Sequence, residues 1–263
     1  MSNSIYIVDA FTHKPFKGNP AAVCLLEQPV DTAWMQSIAS EINLSDTAFL
    51  LPMGDGEWNL RWFTPRTEVD LCGHATLAAA HILWSELEQT QEQLVFHSPS
   101  GLLKACREPQ GIMLDFPIDH LIEESNDQPL IDALGSRPEK VFRGREDLLA
   151  VYHSAQQVRT LSPDQLALSN IACRGVITTA PGDEDGVDFV SRFFAPALGI
   201  PEDPVTGSAH CTLAPYWSNQ LGKQTLKAYQ VSQRGGEIEI RMSGQRVMLI
   251  GQTVTIMEGK LRA

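Results

Sequence analysis

The stretch RFFAPALGIPEDPVTGSAH at residues 192–210 decides the fold, because a shorter form of it already stands at residues 61–76 as RWFTPRTEVDLCGHAT. Both run through an Arg, an aromatic residue, a Phe, a small residue and a Pro. Both then cross an acidic loop and reach a Gly whose small polar neighbours open an apolar helix. A phrase of that complexity written twice marks a duplicated unit, so the chain is expected to be two similar domains.

The flanking patterns agree with that expectation. SIYIVDA (4–10) and AAVCLL (21–26) read as a hairpin-like opening across HKPFKGNP. DTAWMQSIASEI reads as a surface helix with Asp31 as N-cap and Trp34, Ile38 and Ile42 as its buried stripe, ending at NLSD. TAFLLP (47–52) and WNLRWF (58–63) pair as strands across MGDGE. CGHATLAAAHILWSELE (72–88) is apolar nearly all round, which places the helix inside a domain. LVFHS, GLLKACR and GIMLDF follow as three strands.

Periodicity is lost over 117–130, PIDHLIEESNDQPL, and the domain boundary is placed there. A helix near 129–135, strands near 148–153 and 174–179, the acidic turn PGDEDG and the strand VDFVSRFF lead to the second helix at 206–222. Pro215 inside that helix is expected to kink or shorten it. YQVSQRGGEIEIR, QRVMLI and TVTIMEG close the chain as strands. The expected domains are 1–116 and 117–263, with the last strand free to return to the first.

Composition narrows the function classes. The 263 residues carry a net charge of −12, and no clustered basic face suits nucleic acid. No apolar run reaches the ~18 residues of a membrane span. The N-terminus enters a strand pattern directly, so a cytoplasmic protein is expected. Five cysteines without a CxxC pair suggest free thiols, with neither a disulfide framework nor a metal site. GxGxxG after a strand, GxxxxGK[ST], HExxH and GxSxG are missing, which removes most weight from nucleotide, zinc-protease and serine-hydrolase chemistry. No cofactor is expected.

The two helix starts, GHAT and TGSA, carry the chemistry. A helix N-terminus exposes unpaired N–H groups and about half a positive charge, so a Gly/Ser/Thr-lined start admits a carboxylate or an enolate-like oxygen without Lys or Arg. Asp70, Cys72 and His74 flank the first start, and Glu202, Asp203, Ser208 and His210 flank the second. Asp46 stands in NLSD between helix and strand. Carboxylates, a thiol and an imidazole around an apolar cleft are the groups that move protons on and off carbon. Other roles stay open: Gly73 and Gly207 as permissive helix residues, Asp46 as a cap or turn former, Asp203 before Pro204 as a turn residue, Cys72 as a small buried hydrophobe, and His81 as a core histidine.

GNPAAV, INLSDTAFL, RWFTPRTEVDLCGHAT, FFAPALGIPEDPVTGSAHCTLAPYW and QVSQRGGEIEI resemble, in this order and over nearly the whole chain, the PhzF family of phenazine-biosynthesis-like isomerases. That family shares its architecture with diaminopimelate epimerase. The resemblance implies an α+β fold of two similar domains, each a mostly antiparallel sheet or barrel curled around a central helix, with the active site between them and a homodimer as the assembly.

It also implies that an acidic residue of the NLSE segment is the general acid/base on a dihydro-hydroxyanthranilate ring, helped by a His, an Asp and a Ser. These roles fall on Asp46, His74, Asp203 and Ser208. The chain departs from the pattern at Asp46, one methylene shorter than Glu. The two-cysteine pair of diaminopimelate epimerase is half present: Cys72 holds the first position and Thr206 the second, so a dithiol mechanism is disfavoured.

The expected function is a cofactor-independent isomerase that moves a proton on a small carboxylate-bearing metabolite. The catalytic set is Asp46, His74, Asp203 and Ser208, and Gly18, Asn19, Cys72, Gly73, Thr206 and Gly207 line the substrate. The alternatives are a Cys72-dependent racemase or lyase of an amino-acid-like acid, and a metabolite-binding protein without turnover.

Overall fold

The repeated phrase builds the same local structure twice. In the computed structural model, which describes residues 3–54, 56–124 and 128–262, Arg61 holds Glu68 through Nε and Nη2 at 2.7 Å each and lies 5.2 Å over the Phe63 ring. Arg192 holds Glu202 at 2.7 and 2.9 Å and lies 4.8 Å over Phe194. A bidentate fork that also stacks on an aromatic ring pins the strand pair it spans. Asp55 of the turn MGDGE and residues 125–127 of the expected boundary segment lie outside the described residues.

The chain divides into two units, Met1–Asp115 with Ile250–Ala263, and Phe116–Leu249. In the first, β1 (Ser4–Ala10) and β2 (Asn19–Leu25) form an antiparallel hairpin, and α1 (Thr32–Ile42) crosses to β3 (Asp46–Gly54), which is parallel to β2. β4 (Glu57–Phe63) returns antiparallel to β3 and pairs with the two-residue β5 (Glu68–Val69). Then α2 (Gly73–Ser85) crosses to β6 (Gln93–Ser98), parallel to β4, and β7 (Gly101–Glu108) and β8 (Gly111–Pro117) follow as an antiparallel meander. Parallel neighbours require a crossover, and α1 and α2 are those crossovers.

The second unit comprises β9 (Ile122–Glu124), α3 (Gln128–Leu134), β10 (Lys140–Arg143), β11 (Leu148–Val151), α4 (Ala155–Thr160), α5 (Gln165–Ser169), β12 (Val176–Pro181), β13 (Phe189–Ala195), β14 (Ile200–Asp203), α6 (Gly207–Leu221), β15 (Thr225–Gln230), β16 (Gly236–Ser243) and β17 (Arg246–Gly251). Its pairings repeat the first. β10–β11 is antiparallel, β11–β12 parallel, β12–β13 and β13–β14 antiparallel, β13–β15 parallel, and β15–β16 antiparallel. The last strand, β18 (Thr253–Lys260), runs antiparallel to β1, and β9 holds the same place against β10.

Nine of the thirteen residues of α2 are buried, on all of its faces, as an apolar helix surrounded by sheet must be. It packs on β1, β2, β3 and β18. The rest of the expected pattern holds with three corrections. The stripe of α1 is rotated: Met35, Ile38 and Ala39 are buried, while Trp34 and Ile42 are half-buried at its edge, with Trp34 edge-on to Phe49 at 6.2 Å. Residues 153–170, without a reading from sequence, hold the short helices α4 and α5. Pro215 does not shorten α6, which runs to Leu221. The Cys211 carbonyl, four residues back, accepts instead from the Asp119 backbone N–H at 3.1 Å. Among the described residues no helix is long and apolar enough to cross a membrane.

Candidate active site

Local chain chemistry delivers the first-unit residues. Asn43 ends α1 in the left-handed conformation that Asn tolerates, with φ of 55° and its N–H on Ala39 O. The chain then turns through Leu44 and Ser45 into β3, whose first residue is Asp46. Asp46 pairs in parallel register with Ala21 of β2. Gly18 precedes β2 with φ of +64°, where a Cβ would stand 2.1 Å from Ala10 O, so glycine is required there. Asn19 opens β2, and Cys72 is the N-cap of α2, whose second residue is His74.

Packing of α2 on β2 and β3 joins these positions. Ser45 Oγ donates to Asn19 Oδ1 at 3.3 Å, and Asn19 Nδ2 lies 3.3 Å from His74 Nδ1. His74 Nε2 lies 3.6 Å from Asp46 Oδ2, and Cys72 Sγ is 3.5 Å from His74 Nδ1. Asn19, Asp46, Cys72 and His74 are all buried. Burial lowers the His74 pKa to about 4, so the imidazole is neutral near pH 7.

One carboxylate oxygen, one sulfur and one ring nitrogen from Asp46, Cys72 and His74 lie within 4.8 Å of one another, a donor set that could hold a metal ion. The His74 nitrogens already face the Asn19 amide and the Asp46 carboxylate.

The second unit presents a different set. Thr206 is the N-cap of α6 and Gly207 its first residue, and neither Thr206 nor Cys72 caps its own helix through its side chain. Thr206 Oγ1 donates instead to Asp203 Oδ2 at 2.5 Å. The fully buried Gln230 at the end of β15 locks that loop: its Oε1 accepts from Thr206 N at 2.9 Å, and its Nε2 donates to Asp203 O at 2.8 Å and to Thr206 Oγ1 at 3.2 Å.

Ser208 Oγ accepts from Arg174 Nη2 at 3.0 Å. Arg174 in turn forks onto the buried Asp147 through Nε, at 2.8 Å, and Nη2, and lies 5.6 Å over Phe193. Burial raises the Asp147 pKa against the opposing pull of Arg174. An arginine is thus built in beside this helix start, with its charge matched by the buried Asp147.

Other candidates prove structural. His210 is fully buried, stacks at 6.0 Å on Phe189, and donates through Nδ1 to Thr206 O at 2.8 Å; burial lowers its pKa to about 4. Glu202 serves the Arg192 fork, Asp70 is exposed, and His81 bonds Thr255 Oγ1 at 2.9 Å. The structure thus gathers Asn19, Asp46, Cys72 and His74 within the first unit, beside Gly18 and Gly73, and Asp203, Thr206, Gly207 and Ser208 within the second.

Ser45, Arg174, Asp147 and Gln230 were not anticipated. A signal existed for Arg174: the segment before β12 occupies the place of NLSD before β3, so extending the repeat backwards leads to it.

A sequence profile for phenazine biosynthesis-like proteins matches residues 8–259. The chain belongs to the phenazine biosynthesis-like family. Within it, a protein of Halalkalibacterium halodurans named an uncharacterized isomerase is 50% identical, covering 99% of both chains. The crystal structure of a PhzF-family protein from Enterococcus faecalis is 44% identical and superposes with a TM-score of 0.96 over 100% of both chains. A hydroxyproline epimerase of Agrobacterium vitis, solved with trans-4-hydroxy-L-proline bound, shares the fold alone: 13% identity, TM-score 0.60, 99% of this chain and 92% of that one.

Proposed function

We propose that this family member is an isomerase that moves a proton between carbons of a small carboxylate-bearing substrate, with no cofactor. The observation that carries the proposal is a buried carboxylate, Asp46, beside a neutral imidazole, His74, at the start of a buried helix. Asp46 takes a proton from a carbon conjugated to the substrate's carbonyl system, and the C–H electron pair passes into an enolate-like oxygen. Protonated Asp46 then returns the proton to a different carbon, so no atom is gained or lost. A group acting as both base and acid works best with a pKa near the working pH.

His74 and Asp203 orient or share the proton, and Ser208 donates to the developing oxyanion. First-turn N–H groups at Gly73, beside Asp46 and His74, hold the carboxylate, and Gly207 offers the equivalent helix start in the second unit. Gly18, Asn19, Cys72 and Thr206 complete the lining, and a homodimer, measurable by sedimentation, is the proposed assembly.

The test is incubation in deuterated water with dihydro-hydroxyanthranilate and with trans-4-hydroxy-L-proline. Label at a carbon other than the one that lost the proton supports the proposal, label confined to an α-carbon favours a racemase, and Asp46→Asn should slow the first by about 10²- to 10⁴-fold, the range for loss of a general acid/base. Binding of both acids without any label overturns the proposal in favour of a metabolite-binding protein.

The 3.5 Å contact of Cys72 Sγ with His74 Nδ1 favours a second reading, in which Cys72 is the base of a racemase or lyase. Cys72→Ser separates the two: exchange retained in that variant discards the thiol base, and exchange lost there but kept in Asp46→Asn discards the carboxylate.

A further inference from the structure

His74 carries one ring proton when neutral, and the polar groups on either side of it favour one nitrogen as its holder. At one end the Asn19 amide, whose Oδ1 accepts from Ser45 Oγ, presents its Nδ2 donor to His74 Nδ1, and Cys72 Sγ lies 3.5 Å from the same nitrogen. A donor facing Nδ1 requires a lone pair there. At the other end Nε2 lies 3.6 Å from the Asp46 carboxylate, longer than a hydrogen bond, and the acceptor there favours a hydrogen on Nε2. Both ends select the same tautomer.

We infer that Ser45 and Asn19 are positioning residues that hold the His74 proton on Nε2, against Asp46, so that the carboxylate works beside a neutral donor of fixed direction. A neutral donor can support either protonation state of Asp46, whereas a cation in that place would favour the carboxylate alone. This reassigns Asn19 from the substrate lining to the support of His74. The tautomer stands on geometry alone; its catalytic consequence rests on the proposed proton transfer.

His210 supplies the contrast inside the same chain. Its Nδ1 faces the Thr206 carbonyl, which can only accept, and its Nε2 lies 3.5 Å from Ser191 Oγ. His210 is therefore the Nδ1–H tautomer. The two helix-start histidines carry their protons on opposite nitrogens.

The experiment is a long-range 1H–15N correlation spectrum of the full chain labelled at histidine nitrogen, at pH 7.5. Expected are a protonated Nε2 with a lone-pair Nδ1 for His74, and the reverse for His210. A protonated Nδ1 on His74 overturns the inference. Asn19→Asp keeps the shape but replaces the donor by a carboxylate, and should add a proton at Nδ1 to the one on Nε2, giving His74 the imidazolium pattern while leaving the His210 pattern intact as a measure of folding. The same variant should slow deuterium exchange by about 10- to 100-fold, as loss of an outer orienting partner does.

An unchanged His74 pattern with an unchanged rate also overturns the inference. Ser45→Ala, which only releases the Asn19 amide, is the second variant, and a mixture of tautomers is expected. If the wild-type tautomer is as stated and no acid exchanges, the proposed proton transfer fails while the tautomer lock stands.

Discussion

His74 and His210 show what burial alone does to a side chain that would otherwise titrate near pH 6.5. Both are pushed down to about 4, with desolvation as the leading cause. The unfolded chain accepts protons that the folded chain refuses, so their contribution to stability is complete above about pH 6.5 and is lost as pH falls toward 4. Each histidine should withdraw on the order of 3 kcal/mol across that window. Urea unfolding at pH 7.5, 6 and 5 should show the decline, and His74→Asn should remove part of the slope, the rest coming from His210 and from His81, which burial also lowers; a slope unchanged in that variant would show that His74 is already charged in the folded protein. Asp203, legible from sequence as a turn residue before Pro204, is the last residue of β14, and one of its carboxylate oxygens accepts from Thr206 Oγ1.

At the scale of elements, α6 shows how an interior proline can be absorbed. Pro215 leaves the Cys211 carbonyl without its helical donor, and Asp119 N–H fills that place. The Asp119 carboxylate adds bonds from Arg145 N at 3.1 Å and Thr212 Oγ1 at 3.1 Å, so the segment after β8 is tied to the helix at its proline. An interior proline ordinarily costs about 3 kcal/mol. Here Pro215→Ala should shift stability by no more than about 1 kcal/mol, because the new N–H competes for a carbonyl that already has a donor. A gain near the full proline penalty in urea titration would show that the Asp119 contact does not compensate. Helix α1 makes a related point: its 3.6-residue pattern was visible, but its rotation was set by Phe49 and Phe63, which lie in T-shaped contact with ring centroids 5.5 Å apart.

At the scale of the molecule, the repeat seen in two short phrases extends through seven equivalent strand pairings. β18 against β1 matches β9 against β10, so the last strand of the chain completes the first unit. Truncation after Gly251 should therefore leave Phe116–Leu249 folded while the first unit loses its protection from proteolysis and its part of the urea transition; a full-amplitude transition in the truncated chain would show β18 to be dispensable. The strand-to-helix order and the buried helices were readable because hydrophobic period and turn chemistry are local properties. The short elements α4, α5 and β10 were not, since runs of four to six residues carry too little pattern.

By itself the sequence determined the duplication, the two Gly-led helix starts and the presence of Asp46, Cys72, His74, Asp203 and Ser208 beside turns, because each of these is written in neighbouring residues. Only the tertiary structure decided which side chains touch. Asn19 and His74 are 55 positions apart, Asn19 and Ser45 are 26, and Arg174 and Ser208 are 34. Parallel strand register and the packing of a buried helix bring such positions within 3.3 Å or less, and no local period of the chain encodes that distance.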